Sequence, residues 1–133
     1  MAYKLERENA RYVELDVNGD ILKISLGGMA LYKKVIEAQS KLKDIQTKIE
    51  NLTKNKKAIT EELIQFLGDT IIYLFNVAFG ESNTKKILDF YEGNEDEMLL
   101  KVYPFFINEY LPALKSGARE DSRAYAKRLA GVS

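Results

Sequence analysis

Between Tyr12 and Leu26, "YVELDVNGDILKISL", apolar and polar residues alternate around a central Asn18-Gly19 pair. Alternation with a period of two marks a half-buried strand, and Asn-Gly suits the positive φ angles of a type I′ turn. The segment predicts a β-hairpin over 12–26. A two-residue turn sets its register, with Val17 opposite Asp20, Leu15 opposite Leu22 and Val13 opposite Ile24. Val13, Leu15, Leu22 and Ile24 then share one face, while Glu14 meets Lys23 on the other. A lone hairpin is marginal in water, so its apolar face needs a cover.

After Gly27-Gly28 the period changes. Leu31, Val35, Ala38, Leu42, Ile45, Ile49 and Leu52 follow in alternating steps of four and three, a heptad seam. The pattern predicts a helix from Met29 to Leu52. Leu31, Val35, Leu42, Ile45, Ile49 and Leu52 form a candidate self-association seam; an intramolecular helix pair is the plainer use of it. "TKNKK" (Thr53–Lys57) holds neither Gly nor Pro, and the heptad phase carries on to Ile59, Leu63 and Phe66. An unbroken helix to residue 79 is out of scale with a small domain, so a turn or kink is expected there. The second helix then runs from about Ala58 to Phe79. Its first half is amphipathic. Its second half, "IIYLFNVAF" (Ile71–Phe79), is apolar nearly all round, which places it centrally in a core or beneath a partner.

Gly80 stops that run. Ser82 or Asn83 is expected to cap a short helix, "TKKILDFY", ending near Gly93. Asn94 followed by Glu97 resembles a capping box, with Glu95 and Asp96 suited to a helix N-terminus. The helix beyond carries Met98, Leu99, Val102, Tyr103, Phe106, Ile107, Tyr110 and Leu111. Pro104 falls inside it and is expected to kink or interrupt it. Pro112 and Ser116-Gly117 are expected to end it, leaving 118–133 as a polar tail. The expected architecture is one mainly α domain over 1–133. Its N-terminal β-hairpin precedes a bundle of about four helices spanning 29–117.

Chemistry is restricted by what the chain lacks. Its 133 residues include no Cys and no His. Serine–histidine and cysteine–histidine mechanisms are therefore excluded, as are disulfides and the commonest zinc ligands. No enzyme activity, cofactor or metal is expected. "FGES" (Phe79–Ser82) lacks the glycines and Gly-Lys-Ser/Thr ending of a phosphate loop, and reads as a corner between helices. "GNEDE" (Gly93–Glu97) lacks the alternating ligands of a calcium loop. "MAYKLEREN" has no apolar core and does not read as a secretion signal. Ile71–Phe79 is shorter than the roughly 20 residues that span a bilayer, so no membrane partner is expected.

Twenty Lys and Arg balance 20 Asp and Glu, which argues against a dedicated nucleic-acid binder. The balance is not local. Residues 29–60 carry a net +5, residues 61–110 a net −7, and residues 111–133 a net +3. Blocks of opposite sign can pair within one fold or between copies. The lysines from Lys41 to Lys57 lack interleaved aromatics and read as a solvated helix face. Tyr103, Phe106 and Tyr110 share a helix face, and Phe105 points away from it. With Ile72, Phe75 and Phe79 they are candidate partner-binding residues if the core does not claim them.

The order of these parts resembles the tail assembly chaperones of long-tailed, siphovirus-type bacteriophages and prophages, particularly those of Gram-positive hosts. The resemblance rests on "VELDVNGDILKISL", on "MALYKKVIEAQSKLKDI" and above all on "LFNVAFGESNTKKIL", and covers Tyr12 to Leu111. Family members close an aromatic-rich helix in Phe-Gly-Glu, often followed by a second Gly; Ser82 stands there in this chain. The resemblance implies a non-enzymatic protein that binds the tape measure protein and keeps it soluble during tail tube assembly. It also implies the tail tube protein as a second candidate partner, self-association, action in the bacterial cytoplasm and absence from the mature virion. The alternatives are a structural or adaptor module that associates through the Leu31–Leu52 heptad seam and, behind it, a phage nucleic-acid-binding protein.

Overall fold

A computed structural model describes residues 2–3 and 11–131. Strands β1 (Arg11–Val17) and β2 (Asp20–Leu26) pair antiparallel in the register expected, with Val13 opposite Ile24, Leu15 opposite Leu22 and Glu14 opposite Lys23. Asn18 and Gly19 adopt φ of 52° and 90°, and the Asp16 carboxylate accepts the Gly19 amide at 2.7 Å. Leu22 and Ile24 are buried against the helices, which supplies the cover a lone hairpin lacks.

Helix α1 spans Met29–Lys54 and α2 spans Glu61–Phe79. The expected break falls between them. The Thr60 hydroxyl, rather than any earlier residue, starts α2 by accepting the Leu63 amide at 3.2 Å. The two helices pack against each other as an antiparallel pair. Val35, Ala38, Leu42 and Ile45 of α1 and Ile71, Leu74, Phe75 and Ala78 of α2 are buried. The heptad seam is therefore used within the chain, and only Leu31, Ile49 and Leu52 remain half-buried.

Gly80 joins α2 to α3 (Glu81–Phe90) at φ 89° and ψ 151°, a region that essentially only glycine occupies. Neither Ser82 nor Asn83 caps α3. Its first residue follows Gly80 directly, and the Asn83 amide instead donates back to the carbonyls of Phe79 (2.9 Å) and Lys23 (3.0 Å). Asn83 thus ties the corner to β2. Gly80→Ala is expected to cost about 1–3 kcal/mol through backbone strain alone, since a Cβ there meets nothing within 4 Å. A urea titration of the variant checks this.

Helix α4 (Glu95–Phe105) begins at Asn94, whose side chain accepts the Glu97 amide at 3.0 Å; Glu95, Asp96 and Glu97 fill its first turn. It does not end where the prolines suggested. A π turn (Phe106–Tyr110) follows Pro104, and α5 (Leu111–Gly131) continues through Pro112 and Gly117. The Leu111 amide reaches the Phe106 carbonyl, five residues back. This wider turn lies between two prolines that each delete one helical hydrogen bond and crowd the preceding turn, so the ladder is re-phased instead of broken. Helices α4 and α5 form one continuous body, which gives four helical bodies after the hairpin.

Gly117 is buried inside α5 because Arg11 lies against it. Arg11 Nη1 donates to the Gly117 carbonyl at 3.0 Å, and Nη2 reaches Asp121 at 3.0 Å and Glu120 at 3.6 Å. These charge-assisted contacts offset the roughly 1 kcal/mol that a mid-helix glycine costs. The tail expected at 118–133 is helical as far as Gly131, with exposed side chains from Arg119 onward. Thr84 Oγ1 is buried without a hydrogen-bond partner among the described residues. Thr84→Val, nearly isosteric, is expected to raise stability by about 1 kcal/mol, read as a higher urea midpoint.

Candidate functional site

The aromatic residues singled out in the sequence converge, but on the core. Phe75, Phe79, Phe106 and Tyr110 are at most 4% exposed, and Ile72, Tyr103 and Phe105 are half-buried. Phe75 stacks on Phe79 at 5.1 Å between centroids, and Tyr110 meets the edge of Phe79 at 5.3 Å. Phe106 lies between Tyr103 (5.5 Å) and Tyr110 (5.6 Å), nearly parallel to both. The apolar half of α2 and the aromatic face of the α4–α5 body therefore cover each other. The four buried rings meet no partner unless the fold opens.

One hydrogen bond fixes this contact, and a second ties the α4–α5 body to α1. The Tyr110 hydroxyl donates to the Ala78 carbonyl at 2.9 Å, and the Gln39 side-chain amide donates to the Tyr103 hydroxyl at 3.1 Å. Burial pushes the Tyr110 hydroxyl well above the usual tyrosine range. The neutral form is favoured in the folded state, so stability is unaffected below the unfolded-state value of about 10 and falls as pH rises above it. Tyr110→Phe is expected to cost about 1 kcal/mol at neutral pH. Above about pH 10 it also removes a loss of up to about 1.4 kcal/mol per pH unit. Urea midpoints of both proteins across the alkaline range check the sign.

By length and composition α2 is long and apolar enough to cross a bilayer, although the run Ile71–Phe79 alone is not. Ile71, Leu74, Phe75, Ala78 and Phe79 are spent on the core, whereas Ile64, Phe66 and Tyr73 lie exposed along it beside Glu61, Glu62 and Asp69. Among the described residues no three His, Cys, Asp or Glu converge as metal ligands.

The open surface lies elsewhere. The hairpin and the α4–α5 body cover one side of the α1/α2 pair, marked by the Gln39–Tyr103 bond and by the Glu95 carboxylate against Gly68. The other side faces solvent. There Phe66 is 58% exposed and Tyr73 50% exposed, one heptad apart on α2. Lys41 Nζ of α1 sits over the Tyr73 ring at 5.4 Å. Nearer the tip of the pair, Lys48, Leu52, Ala58, Glu62, Leu63 and Phe66 line an open cleft of about 410 Å³. A second cleft runs along Phe66 past Glu62, Gln65 and Asp69.

The result is a shallow groove with an aromatic and aliphatic floor. Lys41 and Lys48 stand one heptad apart along its α1 wall, and Glu62 and Asp69 do so along its α2 wall. Among the described residues none of these charges is in an ion pair with another side chain. The opposed charge blocks are thus set side by side without being consumed. Sequence reasoning passed over Phe66 and Tyr73 as floor residues. Their signal was a heptad-spaced aromatic pair interleaved with heptad-spaced acids, on the side of α2 away from Ile71, Leu74 and Phe75.

No family model, curated protein or solved structure matches this chain.

Proposed function

We propose that this protein is a phage tail assembly chaperone that binds the tape measure protein and keeps it soluble while the tail tube assembles. The carrying observation is the α1/α2 groove: an open, partly aromatic floor between two charged walls on a helical scaffold. Such a surface suits a long helical client, which presents apolar stripes at helical spacing. The mainly helical fold behind an N-terminal hairpin fits the resemblance carried by "LFNVAFGESNTKKIL", and a holding role needs no reactive group. In this reading the protein acts in the bacterial cytoplasm, associates with further copies and with the tube protein, and leaves before the virion is complete.

The adaptor alternative needs the α1 seam free, whereas Val35, Leu42 and Ile45 are buried within the chain. Nucleic-acid binding through Lys41–Lys57 is disfavoured by Glu62 and Asp69 on the neighbouring wall, which repel phosphates. Co-expression with a tape measure segment tests the proposal. The segment is expected in the soluble fraction and to co-purify with the chaperone. An insoluble segment, beside a folded and soluble chaperone, overturns the reading.

A further inference from the structure

We infer that the α1/α2 groove selects one class of client segment: an amphipathic helix with an apolar stripe, acidic residues along one edge and basic residues along the other. The inference rests on the chaperone reading and names its ligand chemistry. A helix laid between α1 and α2 sets one edge against Lys41 and Lys48, and the other against Glu62 and Asp69. Its apolar stripe meets Phe66, Tyr73, Leu52 and Leu63. Heptad repeats on both walls match the repeat of a helix packed at a shallow angle. A helix with two acidic edges repels the α2 wall, and one with two basic edges repels the α1 wall.

The walls also set direction. Only one of the two ways of laying such a helix in the groove puts its acidic edge against the lysines. Neighbouring copies that use this rule would therefore hold a continuous client helix with a common polarity.

The size of the floor favours a client over a second copy. From Glu62 to Tyr73 the groove is about 17 Å long, or roughly three helical turns. Two exposed rings and a few aliphatic carbons fall short of the roughly 800 Å² per partner that a stable dimer buries. A small contact repeated along a client allows release, which a holding protein requires.

The test uses the whole protein and three helix-stapled peptides of about three turns. All carry the same leucine stripe; one has a Glu edge and a Lys edge, one has two Glu edges, and one has two Lys edges. The mixed peptide is expected to bind about ten-fold more tightly than either other peptide by fluorescence anisotropy, and Phe66→Ser is expected to abolish that binding. Lys41→Glu with Lys48→Glu makes both walls acidic and is expected to switch the preference to the two-Lys peptide. These side chains are exposed, and circular dichroism confirms that each variant is folded. Equal binding of all three peptides overturns the inference, as does a double reversal that leaves the preference unchanged. Concentration-dependent dimerisation lost in Phe66→Ser, without peptide binding, assigns the groove to a second copy and also overturns it. The two readings fail separately. A tape measure segment held soluble equally by wild type, Phe66→Ser and the double reversal sinks the groove and spares the chaperone. A clean peptide preference beside an insoluble client does the reverse.

Discussion

Phe106→Ala is expected to lower stability by about 3–5 kcal/mol, a large share of the roughly 5–15 kcal/mol that holds a domain of this size folded. The ring is fully buried in the π turn, stacked between Tyr103 and Tyr110 with Phe79 at its edge, 6.4 Å away. Truncation removes its burial and its contacts with three aromatic neighbours. The cavity left cannot collapse easily, because Tyr110 is held by Ala78 and Tyr103 by Gln39. The matched control is Phe66→Ala, which removes the same atoms from an exposed ring and is expected to shift stability by no more than about 0.5 kcal/mol. Urea unfolding of both variants separates a core ring from a surface ring. Equal losses would mean that the aromatic face of α4–α5 does not pack as described.

That pair of rings also shows where the sequence was legible. Hydrophobic periodicity identifies which residues prefer to leave water, but not which of two apolar faces the fold covers first. Phe75, Phe106 and Phe66 look alike in sequence; only the docking of the α4–α5 body onto one side of α1/α2 distinguishes them. The hairpin was readable to the residue because the Asn18-Gly19 turn and the period-two pattern fix the same register independently. Asn94 was readable because a cap depends on neighbours within one turn. The C-terminal helix was not. Pro104, Pro112 and Gly117 each argue locally for an end, but the π turn absorbs the prolines, and Arg11, over a hundred positions away, occupies the space beside Gly117. The groove was hidden for a related reason. Its lysines and its acids belong to different helices, and no window along the chain places them opposite each other.

Leu42→Ala is expected to cost about 2–5 kcal/mol without changing the state of association. Leu42 occupies the middle of the heptad seam and is fully buried with Val35 and Ala38, in the same core as Ile71 and Leu74. If the seam serves the α1/α2 pair, shortening Leu42 opens a cavity inside one chain. The urea midpoint then falls equally at every protein concentration. If the seam instead joined copies, the loss would appear as dissociation and would shrink as concentration rose. Sedimentation of wild type and variant, beside urea titrations at two concentrations, separates these outcomes. A companion change at Tyr73→Ala supplies the contrast, because its half-exposed ring faces the groove beneath the Lys41 ammonium. It is expected to leave the midpoint within about 1 kcal/mol of wild type while weakening client retention. Loss of folding from Leu42 and loss of holding from Tyr73 would place stability on the inner side of the α1/α2 pair and recognition on the outer.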